Sequence, residues 1–236
     1  MKGMALLSRS LGALFLALAM QAASAALVAG RDYVALSPPQ PVETGDKIEV
    51  LEAFSYACPH CYVFEPKLSA WAKSLPADVV VRKLPVSFNR PDWANLTRVY
   101  YTLEVLGDAG KLHGKVFDAI HAENIDLAKP EVLFDWAAKQ GIERKKFADA
   151  YNSFTVTTKA ARLAQLTRNY GVESVPTIIV DGKYRVTGGA SHEDMLRITS
   201  ELIQLVRTTH APKAADAAPP TALLAKHVSP AIQRVK

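Results

Sequence analysis

Residues 48–66 read IEVLEAFSYACPHCYVFEP. The first seven, Ile48 to Phe54, are apolar with little interruption, the pattern of a strand buried on both faces of a sheet. A helical spacing follows, carried by Tyr62, Phe64, Leu68, Trp71 and Leu75. Between strand and helix lies Cys58-Pro59-His60-Cys61, and the chain has 2 cysteines in its 236 residues. A lone CxxC closes too small a loop to cross-link distant parts of a fold. It is the spacing of a dithiol that opens and closes on itself. Pro66 falls within the helix and is expected to kink it, because it has no N–H and its ring crowds the preceding turn. Val79 to Val86 (VVVRKLPV) supplies a second strand. The result is a βαβ unit with the dithiol at the N-terminus of its helix.

Outward from this unit the period changes. From Pro91 to Gly171 the spacing is helical: Trp93, Leu96, Val99, Tyr100, Leu103 and Leu106 form one stripe, with Gly107 as its stop. Pro130 suits a first helical turn and Gly141 an end, while Val156, Ala160, Leu163, Leu166 and Tyr170 mark a last helix before Gly171. These signals predict an insert of four or five helices over about 80 residues. Strand character returns in Thr177 to Val180, the turn Asp181-Gly182 and Tyr184 to Thr187, a hairpin. Ser191-x-x-Asp194 resembles a capping box and opens a final helix to about Val206. The order βαβ, helices, ββα describes an α/β fold with an inserted all-helical domain. The expected division is residues 26–88 and 172–207 for the α/β part and 89–171 for the insert.

The two ends are different material. Lys2 and Arg9 precede the apolar run Leu11 to Met20, and Ala23-Ser24-Ala25 follows with the small residues of a signal-peptidase site. Residues 1–25 therefore read as a cleavable export signal, too short in its apolar run for a span of roughly 20 residues. Export leads to an oxidising space, where a disulfide can persist. Residues 208–236 are rich in Ala and Pro, lack aromatic side chains and read as a flexible tail, with a short amphipathic stretch from Thr221 to Val228. The formal charge of +5 resides in these ends. Between them 22 basic and 22 acidic side chains cancel, so nucleic-acid binding finds no support in the charge.

A thiol is a nucleophile as its thiolate, and a free cysteine titrates near ~8.5. Cys58 stands where the helix begins, so unpaired N–H groups and the helix dipole favour negative charge on its sulfur. His60 adds a donor or a positive charge, and Pro59 presets the first turn without losing an N–H. Each favours the reduced form, and a disulfide whose reduced form is stabilised is an oxidant. Competing readings are a structural disulfide, which this small ring suits poorly, and a zinc or copper site, for which Cys58, Cys61 and His60 are too few ligands. No cofactor or metal is expected.

FSYACPHCYVFEP together with SVPTIIVDGKY resembles the DsbA family of periplasmic thiol:disulfide oxidoreductases, over roughly residues 44–207. The resemblance implies a thioredoxin fold with a helical insertion. It implies that Cys58 attacks and carries the mixed disulfide and that Cys61, more buried, resolves it. Val175-Pro176 corresponds to the cis-proline loop facing the dithiol, where the Val175 backbone pairs with an extended substrate. Glu52 and Lys83 correspond to an acidic–basic pair beneath the site that relays the proton of Cys61. Glu65 matches an acidic position near the site or is a solvated helix face. The implied partners are reduced, unfolded exported proteins and a DsbB-type, quinone-linked membrane reoxidant, with the chain a monomer in the periplasm. An isomerase or reductase is the alternative of the same fold. The isomerases carry an N-terminal dimerisation domain, and the 22 residues between Ala25 and Ile48 are too few for one. A metal-binding module is the alternative without exchange activity. Tyr151 stands where several relatives carry tryptophan. His113, His121, His192, His210 and His227 are scattered, which suggests surface or capping roles.

Overall fold

The computed structural model describes residues 26–210, so the export segment and the tail beyond His210, including Thr221 to Val228, lie outside the described residues. A five-stranded mixed sheet runs in the order β1 (Tyr33–Ala35), β5 (Tyr184–Val186), β4 (Thr177–Val180), β2 (Ile48–Phe54), β3 (Val79–Pro85). β2 is its centre, parallel to β3 and antiparallel to β4. All seven of its residues are buried, as the apolar run implies, although two are glutamates. Side chains alternate across the sheet. Ile48 and Val50, with Ile178 and Val180 of β4, join a core closed by α1 (Pro59–Ala72) and α7 (His192–His210). Leu51, Ala53 and Ile179 face the other way, into a larger core shared with the helical insert.

That insert comprises five helices: α2 (Pro91–Leu106), α3 (Ala109–His121), α4 (Pro130–Lys139), α5 (Arg144–Tyr151) and α6 (Phe154–Asn169). Gly107 closes α2 with a φ of 78°, and the Asp108 N–H bonds back to the Leu103 carbonyl at 2.8 Å, a glycine-terminated helix end. Tyr151 packs its ring on Phe134, with centroids 5.6 Å apart, and the Arg98 guanidinium lies over it at 4.4 Å.

The β4–β5 hairpin turns through Asp181 and Gly182, both with positive φ, and the Lys183 N–H reaches the Val180 carbonyl at 2.9 Å. A Cβ at Gly182 would stand 2.0 Å from the Gln40 carbonyl oxygen, so glycine is required there. Three features depart from expectation. β1 was not anticipated, because a three-residue strand carries no period; its pairing with β5 and the Tyr33–Tyr184 ring contact at 5.3 Å make it. α7 runs to His210 instead of Val206, so the first three residues assigned to the tail are helical. Ser191 Oγ does accept from the Asp194 N–H at 3.1 Å, but the Asp194 carboxylate turns to Arg197, so one half of the capping box forms.

Phe54 ends β2 with no exposure and lies within 6.0 Å, ring to ring, of Tyr56, Tyr100, His113 and Phe117. Replacing it with alanine opens a cavity where sheet and insert meet, an expected loss of about 3–5 kcal/mol. Urea unfolding should show a lowered midpoint at unchanged slope.

Candidate active site

The strand-to-helix junction presents the dithiol. Cys58 is the N-cap of α1 in extended conformation (φ −93°, ψ 117°), with Pro59 opening the first turn. Its N–H bonds the Ser55 carbonyl at 3.0 Å, and its carbonyl accepts from Tyr62 N–H at 3.1 Å, so the backbone of the motif is fixed on both sides. Both sulfurs are free thiols, Cys58 6% exposed and Cys61 wholly buried, while His60 and Pro59 face solvent. The Cys58 thiol donates to the Val175 carbonyl at 3.5 Å, and the Val175–Pro176 bond is cis. The loop before β4 thus lies against the outer sulfur, although 117 residues separate the two.

The two thiols have opposite electrostatics. The Cys61 S–H donates to the Cys58 sulfur and draws the Cys58 thiol down to about 6 against the opposing effect of burial. The N–H groups of Cys61 and His60 and the charge of His60 add to this. Cys61 is pushed far up by the same hydrogen bond, by burial and by the charge of Glu52. One sulfur is a thiolate near neutrality and its neighbour keeps its proton.

Beneath Cys61 lies an ionic cluster. The β2–β3 register sets Glu52 opposite Lys83, and their side chains meet at 2.6 Å. Lys83 also bonds Glu65 of α1, which takes a hydrogen bond from Ser69 Oγ at 2.5 Å and lies 3.2 Å from His113 Nε2. His113 Nδ1 lies 2.7 Å from the Tyr56 hydroxyl. Burial raises the Glu52 carboxyl well above the ordinary carboxylate range, with Lys83 opposing and Glu65 reinforcing. Burial acts the same way on Glu65, yet His113 and Lys83 hold it below that range. Burial lowers His113, with Lys83 reinforcing and the Glu65 hydrogen bond and charge opposing, a shift that favours the neutral imidazole. Glu65, His113 and Ser69 also line an open cleft of about 620 Å³ between α1 and α3.

The expected residues Glu52, Cys58, Pro59, His60, Cys61, Lys83, Val175 and Pro176 therefore come to one end of the sheet. Two more join them: Glu65, for which the sequence left a place near the site and a solvated helix face both open, and His113, expected at the surface or at a cap. Glu65 is buried in the cluster and is not a solvated helix face; it lies four residues after buried Cys61, on the same side of α1. His113 is buried, not superficial. Its spacing to Val116 and Phe117 places it on the apolar stripe of α3, the signal that would have found it. His121 is also committed, its Nε2 lying 2.8 Å from the Tyr56 carbonyl and its ring stacked on Tyr62. Among the described residues no group of three His, Cys, Asp or Glu could hold a metal ion.

The family model of the DSBA-like thioredoxin domain matches residues 49–199. The chain belongs to the DsbA-like thioredoxin family. It is 41% identical over 181 residues to the thiol:disulfide interchange protein DsbA of Pseudomonas aeruginosa, covering 76% of this chain and 85% of that protein. Against the protein of the same name from Burkholderia cepacia the identity is 37% over 187 residues, covering 79% and 87%. The crystal structure of P. aeruginosa DsbA superposes with a TM-score of 0.73 at 40% identity, covering 78% of this chain and 96% of that one. That of the Xylella fastidiosa oxidoreductase DsbA gives 0.73 at 34% identity, covering 77% and 98%. The fold is the DsbA-like thioredoxin fold, and the activity is thiol:disulfide exchange.

Proposed function

We propose that this chain donates the Cys58–Cys61 disulfide to reduced proteins newly exported to the periplasm. The observation that supports this best is the contrast between a Cys58 sulfur stabilised as thiolate and a buried Cys61 that keeps its proton. Together they stabilise the reduced form, so the disulfide tends to be given away. A client thiolate attacks the Cys58 sulfur, the more accessible of the two, and the Cys58–Cys61 bond breaks. Its electron pair leaves on Cys61, which takes a proton. A second client thiolate then attacks the client sulfur of the mixed disulfide and releases Cys58 as thiolate. The client loses two electrons and two thiol protons, one of which ends on Cys61 and the other in solvent. The Val175 backbone, beside the reacting sulfur, pairs with the extended client. A quinone-linked membrane protein of the DsbB type reoxidises the pair. Residues 1–25 direct the export, 26–88 and 172–207 form the redox domain, and 89–171 cover it.

Equilibration with defined glutathione ratios tests the direction of transfer. The pair should remain reduced except in strongly oxidising buffer. A disulfide that persists in reducing buffer would make the chain a reductase or its bridge structural, since about 30 mV shifts the two-electron equilibrium tenfold.

Cys61 is a poor leaving group while its thiolate goes unprotonated, and Glu52 is the acid beneath it. A carboxyl raised by burial is poised to give and take a proton near neutral pH. Glu52→Gln should slow both formation and release of the mixed disulfide on the order of 10²-fold, the low end of general acid–base effects. Stopped-flow rates that stay unchanged across pH would remove Glu52 from the relay.

A further inference from the structure

The cluster of Glu52, Lys83 and Glu65 sets two carboxyls against one ammonium, so a single proton makes it neutral, and either carboxyl could hold that proton. The surroundings are not symmetric. Glu65 Oε2 receives Lys83 and faces His113 Nε2, and its Oε1 receives the Ser69 hydroxyl. Glu52 shares the ammonium at 2.6 Å without the imidazole or the hydroxyl.

The tautomer of His113 follows from its two neighbours. With its hydrogen on Nδ1, the ring would turn the Nε2 lone pair toward an ionised carboxylate at 3.2 Å, a repulsive arrangement. With its hydrogen on Nε2, the ring donates to Glu65 and accepts the Tyr56 O–H at Nδ1, which satisfies both contacts. The rings of Phe54, Tyr100 and Phe117 surround it edge-on at centroid distances of 5.0, 5.8 and 5.3 Å, so it cannot turn without displacing them. Every neighbouring element presents its charged and titratable groups to the same cluster. These are Glu52 from β2, Lys83 from β3, Tyr56 from the junction, Cys61 and Glu65 from α1, and Tyr100 from α2. From α3, Lys111, Lys115 and Asp118 line the cleft on which Glu65 and His113 open.

We propose that His113 is a positioning residue of the exchange reaction: by donating its Nε2 hydrogen to Glu65 it keeps that carboxyl ionised and confines the cluster's one mobile proton to Glu52, beside Cys61. The inference rests on the relay reading of Glu52 and adds the group that aims it. When the Cys58–Cys61 bond breaks, the proton leaves the Glu52 carboxyl for the Cys61 thiolate, and Glu52 becomes a carboxylate facing Lys83. A proton parked on Glu65 would sit on the far side of the ammonium, one transfer further from the sulfur. His113 thus acts through Glu65 and touches neither client nor cysteine.

The carboxyl ¹³C signals of Glu52 and Glu65 in the full chain report where the proton sits. In the unaltered protein, Glu52 should titrate between about pH 5 and 8 while Glu65 stays ionised throughout. In His113→Phe, Glu65 should begin to titrate in that interval and the share of the proton on Glu52 should fall by at least roughly twofold. His113→Gln, whose amide retains an N–H donor, should restore the original pattern, which a merely space-filling role would not require. A Glu65 signal that stays flat in the phenylalanine variant, or a glutamine variant that behaves like it, would overturn the proposal. The ¹⁵N signals of His113 in the unaltered protein decide independently of whether the variants fold. A neutral ring with its hydrogen on Nε2 near pH 7 supports the proposal, and an imidazolium or an Nδ1–H ring sinks it. Exchange rates separate this from the relay itself. If Glu52→Gln exchanges at the normal rate, the relay fails while the address of the proton stands.

Discussion

Cys61→Ser, reduced and mixed with a disulfide-bearing client, should accumulate a stable mixed disulfide on Cys58, visible as a single covalent adduct by mass. Cys58→Ser should yield no adduct and no exchange above the uncatalysed background. The asymmetry follows from position and charge. Cys58 has its sulfur at the helix N-terminus, drawn down to about 6 by the Cys61 S–H and the first peptide N–H groups of α1, so it is largely thiolate at neutral pH. It can attack without Cys61, but without the buried partner nothing within the protein expels the client. Serine at 61 keeps a donor toward the Cys58 sulfur and removes the second thiol, which on the proposed mechanism resolves the adduct, so the adduct should persist. In Cys58→Ser the remaining thiol is wholly buried and holds its proton beside the charge of Glu52. Thiolate fraction and access both fall, and rates of exchange depend on both. Equal adduct formation by the two variants would contradict the assignment of attacking and resolving sulfurs.

Much of this site was legible before any coordinates, because its information is local. The apolar strand, the CxxC and the helical spacing after it are contiguous, and turn chemistry announced the β4–β5 hairpin through Asp181 and Gly182. Helix stops at Gly107, Gly141 and Gly171 marked the insert, since a residue with positive φ falls at each. What escaped was long-range. β1 exists because β5 offers it a partner 149 or more residues away, a fact no three-residue window contains. Glu65 and His113 are hydrophilic letters on elements whose orientation is set by the packing of α1 against α3, and only that packing joins them 48 residues apart. Glu52 and Lys83 needed the parallel register of β2 and β3 to become a pair, which the family resemblance supplied and periodicity did not. Glu49 illustrates the limit of reading polarity as exposure. It is buried three residues before Glu52, on the opposite face of β2, and is held by Arg82 at 2.9 Å, so two acids of one strand serve different partners.

The stability of the reduced protein should rise relative to the oxidised protein as pH increases from about 6 to about 8.5. Cys58 titrates near ~8.5 when unfolded and is drawn down to about 6 in the fold. A group with a depressed folded value contributes stability that is complete above its unfolded value and is lost as pH falls through its folded one. The window is therefore bounded below by the folded and above by the unfolded thiol. Its depth is on the order of 3 kcal/mol at 1.36 kcal/mol per unit. Cys61 bounds the effect from the other side. Its raised folded value means that above roughly pH 8.5 the unfolded chain releases a proton that the folded protein retains, which erodes the gain. The oxidised protein has neither thiol and neither dependence, so subtracting its unfolding free energy at each pH removes the groups that titrate alike in both forms and leaves the pair together with Glu52, whose charge Cys61 feels. Urea unfolding of both forms at matched pH measures that difference directly. The same free energy that stabilises the reduced fold makes the disulfide oxidising, because the redox and folding steps close one thermodynamic cycle. A reduced form that gains nothing over the oxidised one between pH 6 and 8.5 would mean that Cys58 is not held as a thiolate, and the chemical basis for giving the disulfide away would go with it.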